Sequence, residues 1–426
     1  MTPKILIAPA CWKGSLSATE AAEVMRDFLA ERLNEGQAEL RVCPIADGGD
    51  DTLAVLQAAN SDYVSHTHPT TGPLPGMVVQ AQYLVNGPRK TVWIEAAQAH
   101  GLKLLPKGVP LSPLSATSYG VGELIRHVLR THQPETLVAS VGGSASTDGG
   151  VGALQALGVQ FLDAAGKVIQ APMGGGDLSG IRRIVWPKET TGFSWKRLLI
   201  ATDVVNPLFG AEGAARVFGP QKGATPAQCQ QLDQDLAHLA PIMQQATNAQ
   251  SGDSDKETVT DSLASLPGAG AAGGLAYGLR CLPRSGITSG SQWIAEQIGL
   301  PNLVAESQII LTGEGCLDLT SLGGKATGHL LAMAGDKPVL FFCGQARDGL
   351  TGWGQVSVYP IISMPNASGD SSHPGHAAEG ESESQAGQAQ LVAEAMANPK
   401  AALRRLLEPA WPKLESLIAT TGPKPA

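Results

Sequence analysis

An α/β fold is what this sequence predicts, on three observations. Short apolar runs alternate with segments whose apolar residues recur at helical spacing. Most of those runs end in glycine-rich turns that carry Asp, Glu, Ser or Lys. The chain has 426 residues, 43% of them hydrophobic, enough for two or three domains and a large core.

Each element follows in order. Residues 4–8 form a short apolar run of the kind buried parallel strands show. Ser17 with Glu20 three residues later is a capping-box pattern. Ala21, Val24, Met25, Phe28, Leu29 and Leu33 then give a helical stripe. A second strand over 41–44 runs into Asp47, Gly48 and Gly49, and 51–59 reads as helix. Strands are expected at 77–84 and 91–95, and a helix at 120–129. The strand 136–141 ends at Gly142, Gly143 and Ser144, before a helix at 148–157. The strand 198–202 ends at Asp203, and 226–246 is a long Gln-rich helix. Residues 268–279 are glycine-rich and then helical. The strand 309–312 ends at Gly313 and Glu314, with a helix at 324–334, a strand at 338–342 and largely helix over 391–418. The Ser-, Gly- and Glu-rich stretch 366–390 reads as a mobile loop, and 251–257 as a polar surface loop.

Composition narrows the function classes. A net charge of −8 and the lack of a basic run argue against nucleic acid as the main partner. No apolar stretch reaches the roughly 18 residues of a membrane span, and the start lacks a signal-peptide pattern. The six cysteines form no C-x-x-C, which points to buried thiols in a cytoplasmic protein. His66 and His68 fall in a Pro/Thr stretch that reads as loop, and no histidine has metal-ligand spacing. Glycine is 51 of 426 residues, about 12% against a usual 7% or so, and it clusters where strands end. Loops of that kind let backbone approach a ligand closely.

The chemistry-bearing residues each have a plainer alternative. Lys13, Gly14 and Ser15 stand between a strand and a helix start, where orphan amides favour anions. The same residues also suit a simple strand-to-helix turn. Asp47, Asp203, Glu314 and Asp318 follow strand ends, where open α/β sheets bind ligands. Together they suit Mg²⁺ and a general base, and singly they suit caps and turns. "VGGSASTDGG" (141–150) offers amides to phosphate, or a tight turn with Asp148 as cap. "PGAGAAGG" (267–274) contains G-x-G-x-x-G, but no strand precedes it, so a Rossmann NAD site is rejected. A phosphate-contacting loop at Gly268 and Gly270 stays open. Lys222 and Lys325 adjoin glycines and could neutralise phosphate, or be surface lysines.

At this point the motifs resemble the glycerate kinase type 1 family. "IAPACWKGSLSA" is similar to the family's I-A-P-D-S-F-K-G-S-L-S-A, and "PIADGGDDT" to P-x-A-D-G-G-E-G-T. "SYGVGELI", "GGSASTDGG", "PGAGAAGGL", "TGEGCLDLTSLGGKA" and the long block "ATDVVNPLFGAEGAARVFGPQKGAT" follow in family order. The resemblance implies two α/β domains. One is flavodoxin-like, doubly wound and discontinuous (1–85 plus 285–426). The other is inserted (86–284), and the site lies in the cleft between them. It implies an ATP- and Mg²⁺-dependent cytoplasmic kinase of D-glycerate, favouring 2-phosphoglycerate, with room for a homo-oligomer and no nucleic-acid or membrane partner. It also implies roles. Lys13 and Lys222 neutralise phosphate or carboxylate, and Asp203 is the base. Asp318 or Asp47 holds Mg²⁺. Ser15, Ser17, Gly48, Gly49, Gly142, Gly143, Ser144, Asp148, Asn206, Gly268, Gly270, Glu314 and Lys325 bind substrate or nucleotide. The sequence departs from the family pattern at Ala10, Cys11, Asp50, Asp51, Thr147, Cys316 and Leu319. Those departures keep two alternatives open: a different small hydroxy acid as acceptor, or a binding or regulatory protein without transfer.

Overall fold

The computed structural model describes residues 2–49, 51–106, 108, 111–187, 195–250, 262–347, 349–363 and 390–421. The expected loop at 251–257 and all of 366–390 except Gln390 lie outside the described residues. Two compact units emerge from the backbone. One comprises 1–47, 54–59 and 291–426, the other 48–53 and 60–290.

The first unit holds one six-stranded sheet. Its strands are β1 (Lys4–Ile7), β2 (Glu39–Val42), β11 (Ile309–Leu317), β12 (Val339–Ala346), β13 (Gly352–Trp353) and β14 (Val356–Ser363). The spatial order is β13-β14-β12-β11-β1-β2. All neighbours are parallel except β13 with β14. Taken in chain order, the five parallel strands run 2-1-3-4-5, the order of flavodoxin-like sheets. The order reverses between β1 and β11, so their carboxyl ends flank the switch point where such sheets bind ligands. Ile5, Ile7, Ile309 and Leu311 bury one face of this sheet against Met25, Phe28 and Leu29 of the Ala18–Ala30 helix and Leu403 and Leu407 of Pro399–Thr421. The helix begins as its sequence dictates: Ser17 accepts from the Glu20 amide and Glu20 reaches back to the Ser17 amide.

The second unit is built on a sheet ordered β10-β9-β6-β5-β4-β3. Its strands are β3 (Tyr63–Thr71), β4 (Val78–Asn86), β5 (Thr91–Glu95), β6 (Thr136–Ser140), β9 (Arg197–Ala201) and β10 (Ser285–Thr288). β5, β6, β9 and β10 are parallel, and β3 and β4 extend the sheet antiparallel. A small antiparallel pair, β7 (Gln160–Leu162) with β8 (Arg183–Val185), stands apart from this sheet. Val92, Ile94, Leu137, Ala139, Leu198 and Ile200 build its core with the Tyr119–His132 helix.

Two expectations change. His66 and His68 are not in a loop; they lie in β3, whose nine residues pair along the whole of β4. There His68 stacks on His127 at 3.6 Å between ring centroids. The Pro and Thr residues that suggested a loop are compatible with β3 because it is an edge strand, where a missing amide breaks no ladder. The sequence also sets the domain cuts near 85 and 285, whereas the compact units are 1–47, 54–59 and 291–426 against 48–53 and 60–290, and the whole β3–β4 hairpin joins the second sheet. Local pattern gives a strand's existence but not the sheet it joins.

Candidate active site

The named residues fall into two sets, one in each unit. In the first unit, Trp12 and Leu16 anchor a tight turn: the Trp12 amide donates to Leu16 O at 2.8 Å, and both side chains are buried. Lys13 and Gly14 form its exposed tip, with Gly14 at a φ of 80°. Both serines have internal partners. Ser15 Oγ donates to Trp12 O, and Ser17 Oγ belongs to the helix cap. Lys13 is therefore the charged group that this turn presents to solvent.

The turn sits beside the end of β11. The Ala10 amide donates to Gly313 O at 2.9 Å, and Thr312 Oγ1 donates to Ala8 O at 2.7 Å. A side chain at Gly315 would meet the backbone of Trp12 and Lys13 at 3.4 Å. Glu314 is buried and accepts from Thr327 Oγ1 at 2.8 Å. Burial raises its pKa, and the charge of Asp318 adds to that. Asp318 Oδ1 accepts from the Ser321 amide and lies 3.7 Å from Lys325 Nζ. Glu314 does not follow the strand as expected but lies within β11, which stays paired to β12 as far as Leu317, and it forms one charged group with Asp318 and Lys325. Asp47 follows β2, where the Ile45 amide still pairs with Pro9 O. Among the described residues, no three His, Cys, Asp or Glu side chains converge to cage a metal.

In the second unit the predicted residues gather at the carboxyl ends of β6, β9 and β10. Asp203 follows β9, and Ser289, just after β10, donates to its Oδ1 at 2.7 Å. A Gly48 side chain would meet Ala201 O at 3.3 Å, and one at Gly142 would meet Gly49 Cα at 3.3 Å. These glycines let the two turns approach closely. The 267–274 loop behaves differently. The Gly270 amide donates to Asn206 O, and a side chain there would lie 2.2 Å from Pro207 O. Gly268, at a φ of 89°, packs against Val204 O and Ile287. Asn206 Nδ2 in turn donates to Glu212 O at 2.8 Å. The G-x-G-x-x-G pattern is thus explained by backbone packing.

Asp148 and Lys222 are both buried. Asp148 Oδ2 accepts from the Ser118 amide and hydroxyl, at 2.8 and 2.7 Å, and Oδ1 accepts from the Gly150 amide. The carboxylate ties the loop to the start of the Tyr119–His132 helix, and burial raises its pKa. Lys222 Nζ donates to Ser144 Oγ at 2.9 Å and Ser146 O at 2.5 Å. Burial lowers its pKa to about 7, opposed by the charge of Asp148. His100 Nδ1 lies 3.1 Å from Ser146 Oγ; burial, then the Lys222 charge, pushes its pKa down to about 3. Sequence reasoning missed His100, Ser118, Ser146 and Ser289. Ser118 and Ser146 stand inside motifs that were recognised, but His100 and Ser289 carry no local signal, because their partners are 46 and 86 residues away.

Comparison with known proteins agrees with the motif reading. The model of the glycerate kinase family matches residues 5–396. The chain is 35% identical over 351 residues to glycerate 2-kinase of Escherichia coli K12, covering 81% of this chain and 86% of that one. It is 36% identical over 364 residues to glycerate kinase of Haemophilus influenzae, covering 84% and 91%. A crystal structure from Salmonella typhimurium LT2, assigned provisionally as glycerate kinase 2, superposes with a TM-score of 0.68 at 30% identity, covering 96% of this chain and 100% of that one. No helix among the described residues is long and apolar enough to cross a membrane. With matching motifs, sheet architecture and near full-length similarity, this chain belongs to the glycerate kinase family.

Proposed function

We propose that this protein transfers the γ-phosphoryl group of ATP to D-glycerate in the cytoplasm, with 2-phosphoglycerate as product. The observation that carries the reading is Asp203, a carboxylate at the end of β9 oriented by Ser289. It stands at the head of the long family-like block. A held carboxylate can take the proton of an attacking hydroxyl, which is the base role in phosphoryl transfer. The rest of such a reaction is positioning and charge neutralisation. Lys13 and Lys222 supply positive charge, and Gly142, Gly143 and Ser144 supply donors.

Mg²⁺ fits this donor set. It takes one or two carboxylates together with phosphate oxygens, rather than a closed protein cage. The close Glu314 and Asp318 carboxylates would be relieved by a divalent cation. Asp318, with Asp47, is the proposed ligand set. When bound, the ion neutralises charge on the phosphate oxygens.

A second reading, a different hydroxy acid as acceptor, has one specific observation in its favour. Ala10 and Cys316 depart from the family pattern on the adjoining ends of β1 and β11, where the Ala10 amide pairs with Gly313 O. Together they remove a carboxylate and a guanidinium there. The test is ADP release with Mg·ATP and D-glycerate, with the phosphoglycerate isomers resolved by NMR. Glycerate-dependent release of 2-phosphoglycerate is expected. A folded protein that releases ADP only with another hydroxy acid favours the second reading, and one that releases none with any acceptor defeats both.

A further inference from the structure

Lys222 is a cation 3% exposed, and among the described residues no carboxylate lies within ion-pair distance of it. Buried charges are costly unless paired, and such a lysine lacks its counter-ion. Its position explains what it lacks. It lies under the loop that leaves β6, whose Gly143 is exposed and holds a φ of 65°. Among the described residues, the amides of Gly142 and Gly143 donate to no acceptor in the fold. Ser144 Oγ accepts from Lys222, so its own proton is available, and it too has no acceptor among the described residues. Three unused donors therefore stand at one loop, backed by one unpaired buried cation.

The loop is braced from behind. The Ala145 amide donates to His100 O at 2.8 Å, and the Leu102 amide to Gly143 O at 2.9 Å. His100 Nδ1 meets Ser146 Oγ, and Ser146 O receives the closest Lys222 contact. His100 Nε2 is buried and has no partner among the described residues. The imidazole thus fixes the residue that fixes the lysine.

We propose that His100, acting through Ser146, is the positioning residue that holds Lys222 as the buried counter-charge of the oxyanion received at the Gly142 and Gly143 amides and the Ser144 hydroxyl. This rests on the kinase reading above, which supplies two oxyanions, an ATP phosphate and the glycerate carboxylate. A consequence is proton-linked binding. An arriving anion stabilises the ammonium form of Lys222, so binding above neutral pH takes up a proton from solvent. The titratable groups that face Lys222 are Asp148, in the same loop, and His100, in the Ala97–His100 helix. Asp148 is held by the Ser118 hydrogen bonds and His100 stays neutral, so the proton goes to Lys222.

The experiment is titration calorimetry near pH 8 in two buffers of different ionisation enthalpy, with Mg·ATP, D-glycerate and inorganic phosphate as separate ligands. The ligand that uses the loop should bind with proton uptake. Ser144→Ala should weaken that ligand about tenfold and leave the other unchanged. Lys222→Met should abolish the uptake. His100→Leu should lower the alkaline midpoint of the kcat/KM profile, and His100→Gln should restore part of the shift. If wild-type turnover is intact but Ser144→Ala and Lys222→Met bind every ligand as wild type does, the subsite is overturned while the kinase reading stands. If the wild type does not turn over glycerate, the kinase reading fails. Proton-linked binding of Mg·ATP or phosphate would then still support the subsite, and its absence would overturn it. A His100→Leu variant that loses only melting temperature, with the midpoint unmoved, overturns the positioning role.

Discussion

Two glycine turns in this molecule look alike in sequence and differ in physics. Residues 12–16 follow β1, and residues 142–146 follow β6; each joins a parallel strand to a helical segment with serines and carries or contacts a lysine. In the first, the hydroxyls of Ser15 and Ser17 are used inside the turn and the helix cap, and Lys13 stands in solvent. In the second, the Ser144 proton is available and the lysine, Lys222, comes from 76 residues or more along the chain into a dry place. Water screens the first charge and barely screens the second. The lesson is that a Lys-Gly-Ser cue reports a turn, while burial decides how strongly its charge acts.

The comparison can be broken in four ways, from the largest expected effect down. Asp203→Asn retains an acceptor for the Ser289 hydroxyl but removes the proton-accepting charge at the strand ends shared with the second turn. Turnover should fall about a hundredfold or more, with ATP binding retained. Near-normal turnover in single-turnover kinetics would move the base to another acid.

The next sharpens the contrast itself. Lys222→Met should reduce kcat/KM by about tenfold to a hundredfold at every ionic strength, since it acts without screening. Lys13→Met should cost about fivefold or less and lose its effect as salt is raised. Equal salt dependence for the two variants would erase the distinction drawn here.

The third is a pH dependence of stability. Lys222 has a folded pKa of about 7, below its ordinary 10.5. Between those values the unfolded chain holds more protons than the native one, so this group makes stability rise with pH across that window. Below pH 7 both states are protonated there and the burial cost is fully present. Denaturant melts of wild type and Lys222→Met at several pH values should show the extra slope in the wild type only. A matching slope in the variant would assign it to other groups.

The smallest effect belongs to the first turn. Ser17→Ala removes the hydroxyl that accepts from the Glu20 amide, while the Ser17 amide can still donate to the Glu20 carboxylate, and should cost about 1 kcal/mol by chemical denaturation. An unchanged midpoint would mean that the cap does not contribute to holding the turn.

Much of the fold was legible because its determinants are local. The capping box at Ser17 and Glu20, the parallel-strand runs of β1, β6 and β9, and the strand-end acids all follow from neighbours in sequence. Asp148 and Lys222 were singled out by the company of glycines, but their burial was not visible. The 267–274 glycines were legible as special, though not for the reason that mattered: Gly270 stands against Pro207 O, a contact that no spacing rule encodes. β3 was lost because Pro69 and its threonines resemble a loop until an edge position is known.

By itself, then, the sequence determined the α/β class, the family motifs and where the strand-end residues stand. Those depend on periodicity, capping and turn chemistry within a few residues. Only the tertiary structure decided that Lys222 is dry and lacks an ion-pair partner among the described residues, that His100 braces Ser146, that Ser289 orients Asp203 and that β3 belongs to the second sheet. Each of those is a long-range contact or a loss of solvent. Desolvation and pairing are properties of the packed chain, which is why two glycine–serine turns ended with one screened and one unscreened lysine.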